Sequence, residues 1–258
     1  MNDNYSKRYV GPILTGASRP HLMESNDNNI YVVKFTNNRF GPRLLANEWI
    51  CYKLACLIGL PIPKAVKIFV PQELIDIEPT LKAEKIEEGL HFGSLYIKDT
   101  IDFTGENLIK AVSNKDIISG IIAFDYWIDN DDRCNNNGNL LIVTSGAHAE
   151  LLIIDNGNAF TGPHWCREDL SEDVGIIPLD GCVYDKLMPY VDNNLEYWYQ
   201  KIENLTLEQI KECVCNSPEE WDVQFEDLEY LADILYKRRM DVRNALNSQL
   251  FKAIVISK

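Results

Sequence analysis

The chain has 258 residues, 46% hydrophobic and 25% charged, a balance that suits a soluble globular protein with a sizeable core in one domain or two packed lobes. Its 39 acidic and 25 basic side chains give a formal net charge of −14, a surface that repels the phosphates of nucleic acids and membranes and argues against both as main partners. The first ten residues hold no apolar signal core and no apolar run reaches the ~18 residues of a membrane span, so a cytoplasmic protein is expected.

Residues 9–36 read as a β-hairpin region. Tyr9-Val10 and Ile13-Leu14 are strand fragments, Gly16-Ala17-Ser18-Arg19-Pro20 a turn, and His21-Leu22-Met23 a second strand. Asn26 to Asn29 make another turn before a β-branched third strand, Ile30 to Phe35. Leu45 to Ile58 reads as a helix with an apolar stripe of Leu45, Trp49, Tyr52 and Cys56, stopped by Gly59 and Pro61. Val66 to Val70 and the stretch Leu90 to Ile97 read as extended. Residues 116–128 form a second helix, with Ile117, Ile121, Phe124 and Ile128 on one face and Asn114 or Asp116 starting it. An Asp/Asn-rich loop, 129–139, leads into a hairpin of Leu140 to Val143 and Leu151 to Ile154. The last third is helical. Capping boxes are predicted at Thr206 to Gln209 and Ser217 to Glu220, and Leu228, Leu231, Leu235, Val242 and Leu246 follow one long final helix. Seven cysteines without regular spacing read as reduced thiols, Cys51 and Cys56 within the first helix. His21, His91, His148 and His164 fit no metal spacing, and no P-loop motif is present.

The 129–139 loop carries the chemistry. Asp132 and Asn137 are five apart, the D-x-x-x-x-N spacing of phosphoryl-transfer catalytic loops. There the Asp takes the acceptor's proton and the Asn amide binds Mg²⁺. Asp155 ends the second apolar run, before Gly157, and can deliver a further hard oxygen ligand. Lys34, late in its strand, can bind nucleotide phosphates with Glu48 of the following helix as its ion-pair partner. The turn at Gly16 offers backbone N–H groups to phosphate. The calcium-loop pattern of EF-hands is not met.

Taken in order, Gly16-Ala17-Ser18-Arg19-Pro20, Tyr31-Val32-Val33-Lys34-Phe35, Asn47-Glu48 with Leu60-Pro61-Ile62-Pro63, Asn130-Asp131-Asp132-Arg133, Asn137-Gly138-Asn139-Leu140-Leu141 and Ile154-Asp155-Asn156-Gly157 resemble the HipA-like kinase family. That family is related to the HipA toxin kinases and, more distantly, to phosphatidylinositol kinases. The resemblance covers most of residues 10–240. It implies an α+β, bilobal, protein-kinase-like fold in a single domain, with a β-rich N-terminal lobe to about residue 98 and a helical C-terminal lobe from about 99 to 258. It implies an ATP- and Mg²⁺-dependent phosphotransferase acting on a Ser or Thr hydroxyl of a protein. Asp132 is then the base, Lys34 the phosphate ligand, and Gly16, Ala17 and Ser18 a cover over the phosphates. Phe92 and Tyr96 flank the adenine. Asn137 and Asp155 hold the metal, with Asn139 the alternative to Asn137. Cys134, Gly138 and Asn156 depart from the family pattern without removing a needed charge. A binding module of the same fold and a small-molecule kinase are the rival readings. An antitoxin-like partner is not legible.

Overall fold

β-Branched and aromatic residues alternate with polar ones before Phe35, and strands form there. The computed structural model describes residues 4–103, 106–135, 139–146, 148–179, 183–191 and 194–256. β1 (Asn4–Pro12), β2 (His21–Ser25) and β3 (Ile30–Lys34) run antiparallel, and helix α1 (Arg43–Ile58) follows them. β4 (Ala65–Val70), two short helices α2 (Gln72–Ile77) and α3 (Pro79–Ala83), and β5 (Gly89–Leu95) come next. The strands close a barrel in the order β1-β2-β3-β5-β4, because β4 also pairs in parallel with β1. That closing contact is short, two residue pairs, Asn4 with Ile68 and Tyr5 with Phe69.

After the barrel come β6 (Thr100–Asp102), α4 (Glu106–Ala111), α5 (Ile117–Ile128), α6 (Asp132–Asn135), β7 (Leu140–Ser145) and β8 (His148–Ile153). β6, β7 and β8 form a separate antiparallel sheet in that order. The remaining helices are α7 (Val183–Leu187), α8 (Leu195–Glu203), α9 (Leu207–Val214), α10 (Phe225–Arg238) and α11 (Val242–Ile256). A small core fills the barrel around Tyr31, Val33, Ile68 and Leu81, while a larger one joins α1, the second sheet and the later helices.

Most expected elements are present, with instructive differences. Ile13 and Leu14 are not in a strand, although Ile13 donates its N–H to the Pro20 carbonyl across the turn. Gly59 ends α1 in the left-handed region at φ 87°, as a C-terminal glycine does. The stripe expected on α1 is only part of its buried surface: Leu45 is fully buried, Trp49 and Tyr52 are half-buried against the core, and Cys56 is exposed. Leu44, Cys51, Leu54 and Ile58 pack as well, with Asn47 and Glu48 buried beside them. The helix is wedged between β5 and α9, so two sides need burial and a one-stripe reading fails. Helix α5 is buried on every residue. Asn114 does not cap it. Its side chain instead exchanges hydrogen bonds with the Leu151 backbone at 3.0 and 2.8 Å, joining the entry of α5 to β8. The acidic loop contains the one-turn helix α6. The Thr206–Gln209 capping box forms, with bonds of 2.9 and 3.2 Å. Ser217 does not cap the turn that follows but donates its hydroxyl to the Val214 carbonyl at the end of α9 at 3.5 Å, and Glu219–Trp221 is a single 3-10 turn. The long last helix is two helices, broken at 239–241, which lets α10 pack on α9 and α11 on α5. Leu228, Leu231, Leu235, Val242 and Leu246 are all buried.

Candidate active site

Period-two alternation decides where Lys34 goes. Tyr31 and Val33 enter the barrel core, whereas Val32 and Lys34 line a cavity of about 430 Å³ on the barrel's other face. The cavity wall runs from Gly16 and Ser18 of the hairpin turn past Phe92 and Tyr96 to Asn139 and Asp155 of the second sheet's neighbourhood. Phe92 is the cross-strand partner of Lys34, so strand register puts the two in contact. Gly16 has φ 97°, a conformation that favours glycine and bends the turn over the cavity.

Lys34 sits between two carboxylates. It donates to Glu48 and, at 2.7 Å, to Asp155 Oδ1. All three line the cavity; the Lys34 and Glu48 side chains are 9% and 4% exposed and the Asp155 side chain 38%, so Asp155 is the most accessible of them. Asp155 takes φ 54°, which Asp tolerates better than most residues and which marks a backbone bend at the strand's end. Its neighbour Asn156 donates its backbone N–H to Glu48 Oε2 at 3.1 Å. Asn47 bolts the same segment to α1, giving its Nδ2 to the carbonyls of Gly157 and Ala159 at 2.9 and 3.1 Å and accepting from Trp165 Nε1 at 2.9 Å. Gly157 is required here by crowding, since a Cβ would lie 2.5 Å from Leu44 Cδ1.

Burial and the nearby Asp155 push the Glu48 carboxyl up to about 7, although the Lys34 ammonium and the Asn156 N–H resist. Burial also opposes ionisation of Asp155, but Lys34 outweighs it and holds that carboxyl below its usual range. Lys34 itself is raised, because the two carboxylates overcome the cost of burying its charge. With all three groups ionised the cluster would hold one positive charge against two negative, and because Glu48 is pushed up to about 7 an arriving cation favours that ionised state.

Asp132 lies on a second cavity of about 440 Å³, lined also by Asp129, Asp131, Asn158, Thr161 and Gly162. The two cavities meet at Asn139, which lines the first and donates Nδ2 to Asp132 Oδ2 at 2.8 Å. A carboxylate only accepts, so this bond turns Asn139 Oδ1 away from Asp132. Asn137 lies outside the described residues. Ala17 does not line the first cavity but a third one behind the turn, which Ser18 lines too.

Behind both acids is a charge cage. Arg133, wholly buried, donates Nε to Asp125 Oδ2 at 2.8 Å, one NH group to the carbonyls of Asn139 and Ile154 at 2.6 and 3.0 Å, and the other to Asn156 Oδ1. Tyr184 donates its hydroxyl to Asp125 Oδ2 at 2.6 Å. One guanidinium thus joins the segment holding Asp132 and Asn139 to the one holding Asp155. Arg133 itself belongs to the quoted Asn130-Asp131-Asp132-Arg133 motif. Its partners Asp125 and Tyr184, drawn from α5 and α7, follow no short motif.

The fold is kinase-like. It is similar to the crystal structure of the proinflammatory kinase CtkA of Helicobacter pylori, with a TM-score of 0.60 and 15% identity over 95% of this chain and 94% of that one. It is also similar to hydra Fam20 with sugar, at TM-score 0.52 and 10% identity over 97% of this chain and 85% of that one. The Golgi casein kinase is similar at TM-score 0.51 and 13% identity, over 96% of this chain and 75% of that one. No curated protein matches the chain. The model of the HipA-like kinase family matches residues 8–253, and the chain belongs to that family.

Proposed function

We propose that this kinase uses ATP and Mg²⁺ to phosphorylate a Ser or Thr hydroxyl on a protein. The observation that carries the reading is Lys34 bound between Glu48 and Asp155 at the foot of one cavity, with Asp132 across Asn139 on the edge of another. The barrel, to about residue 98, serves as the N-terminal lobe and the helical remainder as the C-terminal lobe. The first cavity takes the nucleotide, its base against Phe92, Ser94 and Tyr96 and its phosphates under Gly16 and Ser18.

The donor set fits a hard cation. Among the described residues no three His, Cys, Asp or Glu side chains are grouped to hold a metal unaided. Asp155 and an Asn amide oxygen supply two oxygen ligands, the arrangement in which Mg²⁺ keeps waters and phosphate oxygens. Spacing from Asp132 assigns that amide to Asn137, and Asn139 is the alternative that borders the cavity. Bound Mg²⁺ would supply positive charge to the phosphate oxygens. Lys34 leaves Asp155 for the phosphates and stays on Glu48. Asp132 receives the proton of the acceptor hydroxyl, held in the second cavity, and Arg133 ties together the segments that carry the two acids. Catalysis is then positioning plus electrostatic stabilisation.

Labelled ATP and Mg²⁺ test this directly. The protein should transfer label to a protein acceptor or to itself, and Asp132→Asn should lose transfer by roughly a thousand-fold or more while keeping nucleotide affinity. Nucleotide binding without any transfer, with casein-like, small-alcohol and self acceptors all offered, would replace the kinase by a binding module. Asn137→Ala and Asn139→Ala, compared for the Mg²⁺ concentration that half-saturates the reaction, identify the amide ligand. Among the described residues no helix is long and apolar enough to cross a membrane.

A further inference from the structure

The chain has nine arginines, and the described residues engage seven of them. Arg8, Arg133, Arg167, Arg238 and Arg243 meet carboxylates, and Arg43 and Arg239 meet backbone carbonyls. Arg19 and Arg39 are the two whose guanidinium groups make no hydrogen bond or ion pair among the described residues. Both line the same cavity, about 420 Å³, on the far side of the hairpin turn from the nucleotide cavity. In a chain of net charge −14, two arginines without an ion pair on the wall of one cavity are unexpected.

The walls of that space are tied down. Asn37 gives its Nδ2 to the carbonyls of Glu84 and Lys85 at 3.1 and 2.9 Å, joining the loop after β3 to the loop after α3. Asn38 gives its Nδ2 to the carbonyls of Phe35 and Gly41 at 2.7 and 2.9 Å. Arg39 stacks its guanidinium 4.5 Å from the centre of the Phe40 ring, which orients the group without using its donors. One carboxylate, Glu84, lines the cavity as well, and it is held by the buried His21 Nε2 at 3.1 Å. The balance of formal charge on the wall is therefore two positive against one negative.

We propose that this third cavity binds a small phosphate-bearing molecule, with Arg19 and Arg39 as its two anion ligands. Planar guanidinium forks match phosphate oxygens in pairs, and a tetrahedral dianion accepts two forks at once, which a halide cannot. Ser18 walls both this cavity and the nucleotide cavity, so the two anion sites stand back to back across one turn.

The test is a calorimetric titration with inorganic phosphate at constant ionic strength, the nucleotide cavity filled by a non-hydrolysable ATP analogue with Mg²⁺. One saturable phosphate per chain is expected. Arg39→Gln and Arg19→Gln should each weaken it at least ten-fold, with melting temperature unchanged because neither guanidinium holds the fold together. No saturable binding, equal affinity in the double variant, or replacement of phosphate by equimolar chloride would overturn the site. Arg39 does not line the nucleotide cavity, so its loss identifies the third cavity whether or not the analogue binds. Failure of the kinase reading therefore leaves this result readable.

Discussion

Two buried charge clusters lie within a few residues of each other and are built on opposite plans. Around Lys34, two carboxylates share one ammonium, and one of them, Asp155, opens on a cavity. Around Arg133, one carboxylate faces one guanidinium, both wholly buried, and Tyr184 and Asn130 add hydrogen bonds to Asp125. The second cluster is electrically closed. The first is left short of positive charge, which is unfavourable for stability and useful for recruiting a cation. Buried ionic groups thus divide here into a part that borders a cavity and a part that holds the surrounding segments together.

The same substitution in both clusters should have opposite results. Asp155→Asn is expected to lower phosphotransfer by about a thousand-fold or more, because it removes the proposed metal carboxylate. It leaves Lys34 and Glu48 as a balanced pair, so unfolding free energy should hold or rise, as at many strained functional sites. Asp125→Asn is expected to cost about 3–5 kcal/mol, since it leaves Arg133 buried without its counter-charge. Denaturant titration of both proteins decides the matter. If Asp155→Asn destabilises as much as Asp125→Asn, the distinction between the clusters is wrong.

The Lys34 cluster was legible in sequence and the Arg133 cluster was not, and the reason is physical. Lys34, Glu48 and Asp155 each sit at a place that local chain geometry defines: alternation on a strand, one turn into a helix, the end of an apolar run. Asp132 was separated from Asp129 and Asp131 by spacing alone. Arg133, in contrast, draws its partners from α5, α7 and the segment after β8, a convergence that tertiary packing creates. The α1 stripe was incomplete because that helix buries two sides: Leu54 and Ile58 are buried away from Leu45, Trp49 and Tyr52, while Glu48 borders that stripe and is buried too. The final helix misled because Leu235 and Val242 are seven apart, a spacing that an unbroken helix and a broken one both permit.

Acid offers a third comparison, between these ionic clusters and a polar group buried neutral in the barrel. His91 accepts the Thr36 N–H on Nδ1 at 3.2 Å, and its Nε2 lies 3.0 Å from the Glu87 carbonyl, which requires the proton on Nε2. A second proton would face the Thr36 N–H, and burial pushes the ring's pKa down from 6.5 to about 4. The folded value is depressed, so between those two values the unfolded chain binds more protons and stability falls as pH falls. The loss should approach about 3 kcal/mol by pH 4. His91→Gln should flatten the slope between pH 6.5 and 4, measured by urea midpoints across that range. An unchanged slope would mean that acid acts first on the carboxylate clusters.

The smallest effect expected is the most local. Gly157 follows the Asp155 cluster and touches α1, and a Cβ there would lie 2.5 Å from Leu44 Cδ1, 2.9 Å from Leu44 Cγ and 3.3 Å from Glu48 Oε1. Leu44 is buried and cannot swing to solvent, so the added methyl must push α1 or the Asp155 segment. Overpacking of this kind costs roughly 1–3 kcal/mol. Gly157→Ala should therefore fall near the low end in stability yet lower activity more than its fold loss explains, because the atoms displaced carry Glu48. Leu44→Ala opens the missing space at the cost of a cavity of its own. The double variant should then be more stable than the sum of the two single losses, a coupling of about 1 kcal/mol that neighbouring core residues commonly show. Additive losses would mean that the segment moves freely away from α1, and that the holding cluster at Arg133, instead of packing on α1, is what keeps Asp155 beside Lys34.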